Sequence, residues 1–136
     1  MPKKQTPQKK KSMLRKRCVT KAKYLVRAKA KFRCEKCGRG EPDNQTQGSH
    51  VLPEGLFMGM SADIDNICCL CAGCHMWSND SWHENPLAAA EWFNRTYPGR
   101  YDALKARAKD TTPKDLIFWE RKCEELKDIE TSLCIV

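Results

Sequence analysis

Two cysteine pairs of identical internal spacing, Cys34–Cys37 and Cys71–Cys74, bracket most of the chemistry-bearing residues of this 136-residue chain. Each pair offers two thiolates from one short knuckle. Two knuckles complete the tetrahedral sulfur set that a structural Zn²⁺ takes. A four-sulfur site is closed to water and substrate, so any catalysis belongs to its neighbours. Those neighbours are His50 and Asn66, between the pairs, and His75, directly after the second. Near neutral pH an imidazole nitrogen can accept a proton or hold a divalent ion. The amide of an Asn can fix a neighbouring ring. One ambiguity lies inside the motif, because Cys68 and Cys71 have the same spacing as the chosen pairs. The 71/74 pair is preferred, since Cys68 and Cys69 stand in an apolar stretch where a free Cys behaves as a small hydrophobe.

The elements that must position these residues follow from pattern. Residues 1–13, with Pro2, Pro7 and five Lys, read as a disordered arm. From about Thr20, Leu25, Ala28 and Phe32 form a narrow apolar stripe among Lys21, Lys23, Arg27, Lys29, Lys31 and Arg33, which predicts a basic amphipathic helix running into the first knuckle. Residues 38–49 are rich in turn formers, including Pro42, Asp43 and Asn44. Val51 and Leu52, with His50 at their start, then read as a short strand stopped by Pro53. Asp63 to Asn66 makes a turn into a buried strand through Leu70, and the second knuckle leads into a short helix carrying His75 and Asn79. Three further helices are predicted. The first starts at Pro86 behind an Asn85 cap and stops at Pro98-Gly99. The second covers about 100–109. The third starts with Thr112 as cap and continues through Leu116, Trp119, Cys123, Leu126 and Ile129. Trp92, Phe93 and Trp119 fall at core positions. Trp77 and Trp82 are either packing residues or stacking platforms for bases.

Charge is unevenly placed. Residues 1–33 hold 14 Lys/Arg and no acidic residue, while 34–136 hold 11 against 17 Asp/Glu, so the whole net charge of +8 sits at the N-terminus. Such a block suits a polyanion, with counterion release as the driving term. Lys21, Lys23, Arg27, Lys29, Lys31 and Arg33 are the candidate nucleic-acid contacts. Neither an apolar run long enough to span a bilayer nor a secretory leader is evident, so the expected location is cytoplasmic, without membrane partners. The nine Cys are then expected to be ligands and buried thiols in preference to disulfides. That leaves Cys18, Cys68, Cys69, Cys123 and Cys134 without an assigned partner.

The order His50, Asn66 sixteen residues on, then His75 nine further, resembles the HNH nucleases, the ββα-metal or His-Me finger family. Leu70-Cys71-Ala72-Gly73-Cys74-His75 looks like the Leu-Cys-x2-Cys-His signature of its zinc-containing members. The likeness covers roughly residues 24–95. The basic helix, Ser49-His50, Asp63-Ile64-Asp65-Asn66-Ile67 and Cys74-His75-Met76-Trp77 further resemble the phage NinG/Rap recombination endonucleases, which would place the protein in a bacterial host cytoplasm. The resemblance implies an α+β fold: a small ββα-metal finger stapled by Cys34, Cys37, Cys71 and Cys74, with flanking helices. It divides the chain into a basic arm (1–17), a nuclease domain (18–97) and a helical extension (98–136).

The implied activity is divalent-metal-dependent DNA cleavage, with branched or junction DNA among the substrates and a homodimer as one assembly. His50 would be the general base and Asn66 would fix the loop and the His50 ring. His75, helped by Asn79 one helical turn later, would hold a catalytic Mg²⁺ or Mn²⁺. One position departs from the family pattern. Ser49 stands where an Asp or His usually provides the first metal ligand. Water, Asp63, Asp65 or His83 can replace it, or the metal site is degraded and the chain is a non-catalytic zinc-stapled DNA-binding module. A zinc-held scaffold for protein partners fits the body of the chain but leaves residues 1–33 unexplained. His83-Glu84-Asn85-Pro86 otherwise reads as a helix start.

Overall fold

The computed structural model describes residues 1–40 and 45–133. The turn formers Pro42, Asp43 and Asn44, and Cys134, lie outside the described residues. The element order is α1 (Pro7–Lys29), β1 (Gln47–His50), β2 (Ile67–Leu70), a short helical turn (Gly73–Trp77), α2 (Pro86–Thr96), α3 (Arg100–Ala108) and α4 (Leu116–Ser132). The architecture is thus mixed α+β, with one two-stranded antiparallel sheet in which Gln47 pairs with Leu70 and His50 with Ile67.

The N-terminal arm is not disordered from residue 7 onward. Thr6 caps α1, its hydroxyl accepting from the Lys9 N–H at 3.2 Å, and Pro7 takes the first helical position, where a missing N–H costs nothing. Lys is a good helix former, so the Lys run continues the helix. The expected boundary at 17/18 consequently falls inside α1. The buried face is Cys18, Val19, Ala22 and Leu25. Phe32, assigned to the stripe from sequence, lies beyond the helix end, where Lys31 and Phe32 both take positive φ (55° and 57°) and turn the chain toward Cys34.

α4 also starts later than predicted. Asp115, rather than Thr112, is its cap, accepting from the Phe118 N–H at 2.8 Å. Trp119 and Leu126 bury against α1, and Cys18 and Cys123 are joined as a disulfide across a separation of 105 residues. The expectation of reduced thiols therefore fails for this pair: both sit on the facing apolar stripes of α1 and α4. The ion pair Lys21–Glu130 lies along the same seam.

A second cluster forms around β2, α2 and α3. Phe93 is fully buried, with Tyr97 at 5.3 Å and Trp82 at 6.2 Å between ring centroids. Trp82 is thus a packing residue, whereas Trp77 is 72% exposed. Asn85 caps α2 through the Ala88 N–H at 3.1 Å, as the sequence predicted. Arg100, at the start of α3, donates to the carbonyls of Asp65 and Ile67 at 2.8 and 3.2 Å, which locks α3 to the turn before β2. Among the described residues no helix is long and apolar enough to cross a membrane.

Candidate metal centre and active site

Cys34, Cys37, Cys71 and Cys74 converge, with all four sulfurs within 4.8 Å of one another and Cys37 Sγ 3.7 Å from Cys71 Sγ. Four sulfurs around an ion at the usual Zn–S distance stand about 3.8 Å apart, so the cluster has the size of a thiolate metal site. The two knuckles are built alike. Cys37 N–H points at Cys34 Sγ and Cys74 N–H at Cys71 Sγ, each at 3.5 Å. The chain then folds back through Gly38 N–H to Cys34 O (2.9 Å) and His75 N–H to Cys71 O (3.0 Å). Gly38 makes the first return with φ +75°, a conformation that favours glycine. Burial, with the neighbouring sulfurs, pushes the Cys74 thiol well up, and burial raises Cys37. For Cys34, burial is outweighed by backbone N–H donors near the sulfur, which lower it. Negative sulfurs this close need a cation between them, and the four cysteines are positioned to bind one. Cys68, the competing member of the motif, is fully buried in β2 and lies outside the group of four converging sulfurs.

The first knuckle carries a support that spacing did not reveal. Glu35 accepts from the Cys69 N–H and from the Tyr97 hydroxyl (2.6 Å), while its own N–H donates to Cys69 O at 2.8 Å. One carboxylate thereby joins the knuckle, β2 and the end of α2.

Across the sheet, Asn66 is completely buried and uses its whole amide. Its Oδ1 accepts from the Leu52 N–H at 2.7 Å, and its Nδ2 donates to Leu52 O at 3.3 Å and Met60 O at 3.1 Å. These three bonds clamp both ends of the 52–60 loop. The next carbonyl, that of Ser61, lies 2.8 Å from His50 Nε2. A ring nitrogen facing a carbonyl must carry the proton, so His50 presents Nδ1 as its basic nitrogen. Glu54 lies 3.9 Å from that Nδ1 and pairs with Arg15 at 3.1 Å. Burial holds His50 below its ordinary value. Lys23 adds to this, while the Ser61 bond and Glu54 oppose it. The stem of Lys23 lies across Gly48: a Cβ at position 48 would sit 2.6 Å from Lys23 Cγ.

His75 sits in the wide helical turn closed by Ser78 N–H to Gly73 O at 2.8 Å. Its Nδ1 faces Gln47 Oε1 at 2.6 Å and its Nε2 faces His83 Nε2 at 3.3 Å. Burial, then the charges of His83, Lys23 and His50, bring His75 down to about 4. His50, His75, His83 and Lys23 therefore share one electrostatic neighbourhood.

Asn79 does not share His75's face. The helical turn ends at Trp77 and Asn79 lies in the exposed turn beyond. Asp63 and Asp65 are drawn away by Arg107, at 3.0 and 3.3 Å. Ser49 is buried, its Oγ without a hydrogen-bond partner, so it points into the core. Of the substitutes weighed for that ligand, His83 is the side chain that meets His75. Of the six basic candidates, Lys29, Lys31 and Arg33 are exposed, Lys21 pairs with Glu130, Arg27 reaches Thr46 Oγ1 at 3.4 Å and the Phe32 ring, and Lys23 lies beside the histidines.

No family model, no curated protein and no solved structure matches the chain.

Proposed function

We propose that the protein is a divalent-metal-dependent DNA endonuclease of the ββα-metal kind, with Cys34, Cys37, Cys71 and Cys74 holding a structural Zn²⁺. The observation that carries this reading is the linkage from Asn66 through the 52–60 loop to His50. A buried amide fixes the backbone that orients one imidazole, leaving its Nδ1 on the side of Glu54. A histidine needed only for packing would not require such a clamp.

In this reading His50 Nδ1 takes a proton from water as the oxygen attacks a phosphodiester phosphorus in line with the departing 3′-oxygen. The P–O3′ bond breaks, leaving a 5′-phosphate and a 3′-oxygen that is protonated from solvent. A divalent ion held by His75 would supply charge stabilisation at the phosphate and the leaving oxygen. Lys23 faces the same neighbourhood and suits a phosphate oxygen. The exposed bases of α1 and the 31–33 turn suit flanking phosphates, whose contacts position the duplex without reading sequence.

Supercoiled plasmid incubated with zinc-loaded protein and a divalent ion tests the proposal. Wild type should convert it to nicked circles and His50→Ala should not, with zinc content equal in both. A wild type that retards plasmid on a gel without nicking it refutes the nuclease reading. The alternative is a zinc-stapled DNA-binding module, and the inward-facing Ser49 favours it, because the position of the usual first ligand is closed to metal.

A further inference from the structure

We infer that His75 and His83 form a two-nitrogen seat for a transition-metal ion, distinct from the four-cysteine cluster, in which His83 takes the place that Ser49 cannot fill. The seat itself stands apart from the nuclease reading. Its part in cleavage rests on that reading.

The geometry carries the inference. The two Nε2 atoms stand 3.3 Å apart, with the rings edge to face at 75° and their centroids 4.8 Å apart. Two imidazole nitrogens bound to one ion at the usual distance of about 2.1 Å, near a right angle or slightly wider, come to about 3.0–3.3 Å from each other. The opposite side of the His75 ring is already arranged for ligation. Gln47 Oε1, at 2.6 Å, takes the Nδ1 proton, which puts the lone pair on Nε2 and fixes the ring plane. The two segments are also tied through backbone, His83 N–H to His75 O at 3.3 Å.

The donor set limits which ion fits. Among the described residues, the only three or more Cys, His, Asp or Glu donors gathered within 4.8 Å are the four cysteines, so no carboxylate joins the pair. Asp63 and Asp65 are held by Arg107, and Glu54 by Arg15. Imidazole pairs without carboxylate suit Ni²⁺, Co²⁺, Zn²⁺ or Cu²⁺ and suit Mg²⁺ poorly. Two protein ligands leave several positions open for water and phosphate oxygens. The competing account is a hydrogen bond between two neutral imidazoles, His83 Nε2–H donating to His75.

Titration of the full-length, zinc-loaded chain with Ni²⁺ separates these accounts, using calorimetry for affinity and metal analysis for zinc retained. One further equivalent of Ni²⁺ should bind while zinc stays at one per chain. His75→Ala and His83→Asn should each weaken that event at least tenfold, and His50→Ala should leave it unchanged. His83→Asn keeps a hydrogen-bond donor toward His75 but not a comparable ligand, and its zinc content reports that the finger is folded. Absence of the extra equivalent in wild type, or full affinity in His83→Asn, overturns the inference. Plasmid cleavage is scored separately. Loss of Ni²⁺ binding in the variants with no nicking by any protein leaves the seat standing and removes the nuclease reading. Undiminished Mg²⁺-dependent nicking by His83→Asn, with no extra Ni²⁺ bound by wild type, does the reverse.

Discussion

The two apolar clusters of this molecule are held together by different means. The clamp of α1 on α4 closes like an ordinary helix pair, with Val19, Ala22 and Leu25 facing Trp119 and Leu126, plus one covalent bond between Cys18 and Cys123. The unit around β1, β2 and the helical turn has two four-residue strands and relies on point constraints: four converging sulfurs, the three bonds of Asn66 and the carboxylate of Glu35. Area stabilises the clamp and tolerates small shifts. Point constraints fix atoms, which is what a base and a metal ligand need. The candidate chemistry accordingly sits on this unit.

Removing metal from that unit should break this division most severely. A structural zinc contributes on the order of 10 kcal/mol to folding of small metal-dependent units. Chelation, or Cys34→Ser, should therefore erase amide protection in β1, β2 and the Gly73–Trp77 turn while α1 and α4 keep theirs, as hydrogen exchange will register. Equal loss in both regions would show that they fold as one unit. Next in size, reducing the disulfide, or replacing Cys123 with Ser, should cost about 4 kcal/mol by the loop-closure argument for a separation of this length. The effect should show as a lower melting temperature and faster exchange in α4, with metal content intact.

Asn66→Ala should cost about 3 kcal/mol, because it leaves the Leu52 N–H and the Leu52 and Met60 carbonyls buried without their partner. It should abolish nicking while zinc stays bound. The smallest effect concerns pH. A histidine held below its ordinary value of 6.5 remains neutral into weak acid, so nicking should persist below pH 6.5. The unfolded chain takes up that proton first, so stability should fall as pH drops from about 6.5 toward the folded value. Lys23→Gln removes a repelling charge, so the acid limb of the rate profile should move upward. An unmoved limb would mean that His50 is not the group being titrated.

Legibility from sequence divides along the same line as the structure. Point constraints leave a record in spacing, and the convergence of Cys34, Cys37, Cys71 and Cys74 is legible in theirs. What spacing did not carry was set by packing in three dimensions. Cys18 and Cys123 occupy apolar helix positions 105 residues apart, where a thiol destined for a disulfide has the same neighbours as one destined for a core. Spacing offers His83 only as one of several replacements for Ser49, and its place just before the Asn85 cap does not foretell its meeting with His75. Asn79 falls beyond a helical turn that stops at Trp77, so helical spacing from His75 does not reach it. The Thr6-Pro7 pair is itself a cap and first-turn signal that places the start of α1 within the Lys-rich arm.

Gly48 carries a consequence for how this kind of chain can vary. Its missing side chain is the space through which Lys23 crosses the sheet, and the intruding atoms would be Cγ and Cβ near the root of that side chain, which cannot swing aside as a lysine tip can. Any larger residue at 48 would lift the basic helix from the strand that carries His50. The requirement for a small residue two places before the histidine therefore joins the basic helix to the strand that carries the His50 ring. A distant relative that keeps this helix across its sheet should be recognisable by Gly-x-His as much as by its cysteines.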